Sequence, residues 1–105
     1  MPFFAPLYRR AQVAEAVCRA NYQMAIGCWE LDMSDGETRF RSSLPICGAD
    51  VTDAALDAFL FSAWGIAAKY ANALLEVAVS EADPEVAIAR AEASLDEADR
   101  NTTMA

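Results

Sequence analysis

No histidine occurs among the 105 residues, and that absence excludes more than any other. It removes the usual general base of serine or cysteine nucleophilic sites and the commonest nitrogen ligand of zinc. Cysteine is sparse and odd in number. Cys18, Cys28 and Cys47 contain no close pair, so a closed disulfide framework is not expected and a reducing, cytoplasmic setting fits best. The thiols read as small buried hydrophobes rather than redox centres. Long apolar runs are missing too. None approaches the roughly 20 residues that span a bilayer, and the opening MPFFAPLYRR places its basic pair after its apolar residues, the reverse of a secretory signal.

Basic residues number eight against sixteen acidic, a net charge of −8, which opposes approach to phosphate backbones and anionic lipid. Neither nucleic acid nor membrane is an expected partner. The imbalance is concentrated in residues 76–105, with eight acids and two arginines, and reads as a solvated helical face. What remains is a hydrophobic fraction of 55%, enough for one modest folded domain spanning residues 1–105. Its core is expected to be rich in alanine.

One segment fixes a geometry. Residues 28–44, CWELDMSDGETRFRSSL, are two alternating runs joined by Asp35-Gly36, a pair favoured where a tight turn needs positive φ. Trp29, Leu31 and Met33 face one way with Thr38, Phe40, Ser42 and Leu44, and the charged residues face the other. A two-residue loop sets Leu31 opposite Phe40, Glu30 opposite Arg41 and Asp32 opposite Arg39. A four-residue loop keeps the same faces, whereas an odd loop mixes them.

Helices flank this hairpin. Pro6 opens one over about residues 6–24 with Val13, Val17, Asn21 and Met24 as its stripe, ended by Gly27. Pro45 closes the second strand, and residues 46–50 lead to Thr52, an N-cap followed by Asp53 in the positive first turn. From there Leu56, Phe59 or Leu60, Ala63, Ala67, Tyr70, Leu74, Val77 and Ala78 trace a buried face for about seven turns. Asp83-Pro84 starts a last helix to about Asp99, with Val86, Ile88 and Leu95 as a weak apolar face. Residues 101–105 are expected to fray. The fold class is α+β: helix, β-hairpin, long helix, C-terminal helix, the helices packed on one face of an antiparallel sheet.

The order of these pieces, ANYQMAIGCWELDMSDGETRFRSSL over residues 20–44, TDAAL over 52–56 and YANALL over 70–75, resembles the YbjN-type family, a group with a proposed role in bacterial sensory transduction. The resemblance covers about residues 13–90. It implies a fold similar to type III secretion chaperones, action through protein contacts and no catalytic residues. The family domain usually carries a further helix and strands ahead of this point, so the chain corresponds to its C-terminal half.

A solitary two-stranded hairpin is marginal in water and leaves both edges open. A homodimer that completes the sheet edge to edge is therefore expected, with the long helices over its apolar face. Phe3, Phe4, Leu7, Tyr8 and Trp64 are candidate interface residues. Arg39 and Arg41 with Ser42 and Ser43 form a candidate anion site, although pairing with Asp32 and Glu30 is the simpler reading. Glu30, Asp32 and Glu37 read as solvated strand carboxylates rather than a hydrolytic or metal pair. No cofactor is expected. The function expected is a protein-interaction module, chaperone-like or regulatory. The alternative is a small-molecule-binding homodimer with its site between helices and sheet.

Overall fold

The computed structural model describes residues 3–44, 48 and 50–104, with residues 95–104 as helix backbone only. Pro45, Ile46, Cys47, Ala49 and the Leu95 side chain, all used above, lie outside the described residues. The elements are β1 (Phe3–Phe4), a 3₁₀ turn (Leu7–Arg9), α1 (Arg10–Asn21), β2 (Cys28–Leu31), β3 (Glu37–Arg41), α2 (Asp53–Val79) and α3 (Pro84–Met104). The class is α+β, as the alternating and helical spacings require.

The hairpin forms with its faces matched, but on a four-residue loop. Trp29 sits opposite Phe40, Glu30 opposite Arg39 and Leu31 opposite Thr38. The loop takes residues 33–36 because local bonds favour the wider turn: the Gly36 N–H donates to Asp32 O at 2.7 Å and the Asp32 N–H to Glu37 O at 2.9 Å. Asp35 Oδ1 accepts the Glu37 N–H at 2.9 Å. Met33 therefore leaves the apolar face for the loop and stands exposed.

The hairpin is not solitary. The third strand is β1, antiparallel to β3 with Phe3 against Thr38 and Phe4 against Glu37, giving the order β1-β3-β2. Gly36 makes this possible. Its φ of +84° is costly for any residue with a Cβ, and a Cβ there would collide with the Ala5 carbonyl. The Ala5 N–H instead donates to Gly36 O at 2.8 Å. Arg10 fastens the junction, its guanidinium donating to Ala5 O at 3.0 Å and Asp35 O at 2.9 Å.

The other edge is closed by a side chain. Asn21, the last residue of α1, donates from Nδ2 to Trp29 O at 2.9 Å and accepts the Trp29 N–H on Oδ1 at 2.8 Å. The primary amide thus stands where a fourth strand would bond. This explains why the first helix is shorter than expected at both ends. Pro6 is extended, with ψ of 151°, to carry β1 into the 3₁₀ turn. The helix must also stop at Asn21 for the amide to face β2.

The core lies where α1, α2 and α3 meet against the apolar face of the sheet. It is rich in alanine, with Ala5, Ala16, Ala20, Ala73, Ala78 and Ala87 buried beside Val13, Val17, Trp29, Tyr70, Leu74, Val77 and Ile88. Trp29 and Phe40 pack edge to face with centroids 5.5 Å apart. Caps stand where expected: Thr52 Oγ1 accepts the Ala55 N–H at 3.1 Å and Asp83 Oδ2 the Val86 N–H at 3.1 Å. Arg9 closes the opposite end of α2 by donating to Val77 O at 2.8 Å and to Ala82 O at 3.0 Å. A cation there meets both the free carbonyls and the negative end of the helix dipole. The last helix continues to Met104, past the end expected from its apolar spacing.

Two substitutions test these closures. Asn21→Ala leaves both backbone groups of Trp29 without their partner and is expected to cost about 2–3 kcal/mol. Gly36→Ala combines the positive-φ penalty with the collision at Ala5 and is expected to cost about 2–4 kcal/mol. Urea unfolding followed by far-UV circular dichroism reads both, and a loss below about 0.5 kcal/mol for either contradicts its role.

Candidate functional site

At 27 residues α2 is about 40 Å long, whereas α1 has 12 residues and reaches about 18 Å. The short helix and small sheet, with α3 laid against the second half of α2 through Tyr70–Glu92 and Glu76–Arg90, leave the first half uncovered. Burial along α2 is accordingly confined to Tyr70, Ala73, Leu74, Val77 and Ala78. Leu56 and Leu60, expected on a buried face, are 43% and 55% exposed, and Phe61 and Trp64 are 82% and 72% exposed. Between residues 58 and 68 the helix reads AFLFSAWGIAA, apolar around nearly its whole circumference, a pattern that belongs in an interior or an interface.

Toward the middle of α2 this surface runs into a cleft. Trp29 and Phe40 from the sheet, with Trp64, Ala67, Ala68, Ala71 and Asn72 from α2, line a space of about 310 Å³. The alanines keep it open where longer side chains would fill it. Trp29 is buried, and its indole Nε1 has no acceptor. The cleft is apolar, with one unused donor in a wall residue and the Asn72 amide at its rim.

The candidate interface residues are not gathered in one place. Phe3 is half-buried and Phe4 exposed in β1, while Leu7 and Tyr8 stand exposed on the 3₁₀ turn. Arg9 ties that turn to Val77, which lies about 20 Å along α2 from Trp64. Phe61 was not among the residues singled out by spacing. Its signal is a second apolar stripe on α2, offset from the one that marks the core.

On the polar face of the hairpin Glu30 stands between both arginines, 3.2 Å from Arg39 and 3.1 Å from Arg41, and Glu37 lies 3.7 Å from Arg39. These exposed pairs already meet the arginine charge, each for a small gain. Ser43 is exposed beyond the strand end, and the Ser42 hydroxyl is buried without a partner. Asp32 bonds within the loop, accepting the Ser34 N–H at 2.9 Å and the Ser34 hydroxyl at 2.6 Å. The hydroxyl bond, then the N–H, hold its carboxyl below the ordinary carboxylate value. Cys18 is exposed, contrary to the buried place expected of it, and Cys28 is half-buried; both are free thiols. Among the described residues no group of three His, Cys, Asp or Glu could hold a metal ion, and no helix is long and apolar enough to cross a membrane.

The fold is a small α+β one in which the first half of the long helix leaves apolar side chains exposed. One family comparison gives a match. The model of the family YbjN, described as "Putative bacterial sensory transduction regulator", matches residues 2–76, and the chain belongs to that family. The match takes in β1, the hairpin and most of α2, and ends before α3. No curated protein and no solved structure matches. The family's description is regulatory and not enzymatic.

The loop bonds give a titration to measure. Because the Asp32 carboxyl is depressed, its contribution is present above the ordinary value near 3.9 and is lost as pH falls through the lower folded value. Ser34→Ala is expected to move the Asp32 value upward in a carbon-detected NMR titration; an unchanged value contradicts the assigned cause.

Proposed function

We propose that the chain acts as a non-catalytic protein-interaction module of regulatory or chaperone-like kind, working in the cytoplasm, with the first half of α2 as its contact surface. One observation carries this: Phe61 and Trp64, two of the largest apolar side chains, stand almost wholly in solvent on a regular helix. Aromatic residues in that setting are the usual anchors of protein interfaces. The family's regulatory description supports the same reading, and the free thiols of Cys18 and Cys28 suit a reducing compartment. The net charge of −8 keeps the surface soluble and sets it against nucleic acid and anionic lipid.

A second reading keeps the cleft for a small molecule. It is favoured by the lining of the cleft, Trp29, Phe40 and Trp64 with alanines between them, which suits a small apolar compound. Native mass spectrometry of protein purified from its host separates the two, since a retained compound of a few hundred daltons belongs only to the second.

The test of the first is retention on the immobilised chain. Phe61→Asp with Trp64→Asp is expected to leave stability within about 0.5 kcal/mol, both positions being exposed, and to abolish association with protein, whether a foreign chain or a second copy. Association unaffected by the pair overturns the reading.

A further inference from the structure

The amide of Asn21 is committed to the backbone of Trp29, so α1 stops there and the next residue, Tyr22, is left outside the fold with 87% of its surface in solvent. Tyr22 borders a groove of about 440 Å³ between the end of α1 and the first half of α3, within the range of about 300–1,000 Å³ of spaces that hold ligands. The groove has an apolar floor. Ile88, 2% exposed, belongs to the core cluster, while Cys18 and Ala89, both exposed, are too small to fill the space beside it. No residue of α2 lines this groove.

Its rim is acidic. Glu85 and Glu92 line it from α3, seven residues apart and therefore on one side of that helix, about 10 Å from each other along its axis. The Tyr70 hydroxyl ties Glu92 in place by donating to Oε2 at 3.3 Å. Arg19 is the one cation of the lining, and its charge is already met: Nε lies 2.8 Å from Glu15 Oε2 and Nη2 lies 3.7 Å from Glu85 Oε2. Three carboxylates thus stand around one guanidinium. The surplus negative charge favours a cation, the exposed ring favours one through its negative face, and the floor favours an apolar side chain. A basic segment of another protein meets all three conditions, because cationic side chains on successive turns match the spacing of Glu85 and Glu92 while an apolar neighbour reaches Ile88. Nucleic acid and anionic lipid are repelled by the same carboxylates.

We propose that the groove between α1 and α3 is a docking site for a basic, partly apolar segment of a partner protein, with an apolar side chain of the partner on Ile88, its cations against Glu85 and Glu92, and the Tyr22 ring at the rim. The site is separate from the exposed half of α2 and does not rest on the reading of that surface. One wall, α3, lies beyond residues 2–76 of the family match, so the groove is not a property of the matched region alone.

Cys18 reports occupancy, because its free thiol is exposed and lines the groove, whereas the free thiol of Cys28 is half-buried and does not line it. The probe is a short synthetic peptide of leucine and lysine, compared at physiological ionic strength with the same peptide carrying glutamate for lysine and with spermidine. With the lysine peptide at about ten times its Kd, alkylation of Cys18 by iodoacetamide, read by peptide mass spectrometry, is expected to slow about tenfold and that of Cys28 to stay unchanged. The glutamate peptide and spermidine at the same concentration are expected to protect neither. Tyr22→Ala and the pair Glu85→Gln/Glu92→Gln are each expected to weaken the lysine peptide about tenfold by fluorescence anisotropy, against less than about twofold for Asp53→Asn/Asp57→Asn, which removes the same charge from α2. A peptide that leaves Cys18 unprotected at about 1 mM, protection by spermidine or the glutamate peptide equal to that by the lysine peptide, or an equal loss from the α2 pair overturns the inference. In the variant Phe61→Asp/Trp64→Asp the protection is expected to persist; its loss there assigns the peptide to α2, overturning the groove and leaving the reading of α2 intact.

Discussion

The bidentate bond between the Asn21 side chain and the backbone of Trp29 decides how the rest of the molecule is arranged. It ends α1, fixes the direction in which β2 leaves, and satisfies an N–H and a C=O that an exposed strand would otherwise offer to any passing chain. Trp29 is thereby held with its ring in the core and its edge against Phe40. No hydrophobic contact could do this, because the groups needing a partner are polar and the geometry needed is that of a strand.

With β1 paired to Glu37 and Thr38 at the opposite edge, the hairpin gains a third strand from its own chain, and the large apolar side chains of α2 remain exposed. The buried side chains are mostly alanine and valine, which allow α1, α2 and α3 to approach closely but give little bulk with which to blanket a helix of 27 residues. Large apolar groups have accordingly gone to the outside of α2. The division is informative: small residues make most of the core around Trp29 and Tyr70, and Phe61 and Trp64 stand where another molecule can reach them.

Much of this was legible in the residues themselves. Asp35-Gly36 announced the hairpin, the alternation of Trp29, Leu31, Thr38 and Phe40 identified its inner face, and Thr52 and Asp83-Pro84 marked the helix starts by their capping chemistry. The register was not legible, because it turns on Asp32, Ser34 and Asp35 bonding within the loop, where several loop lengths satisfy the same alternation. Strand β1 has two residues and therefore no period to detect. The exposed half of α2 escaped for a different reason. Periodicity shows which residues share a face, but only the lengths of the neighbouring elements decide whether anything lies over that face. Trp64 is singled out by its place beside the apolar stripe, whereas Phe61 became recognisable only once its exposure on α2 was seen.

Arg9 gives α2 a further property. Its guanidinium grips the carbonyls of Val77 and Ala82 at one extremity, whereas the other extremity is held by little more than the Thr52 hydroxyl. Mechanically the long helix is a cantilever, clamped at its root and exposed over its outer turns. Local opening is expected to be easiest at those turns and hardest beyond Tyr70, where burial starts, so whatever grips the outer turns stiffens the beam without disturbing its foundation.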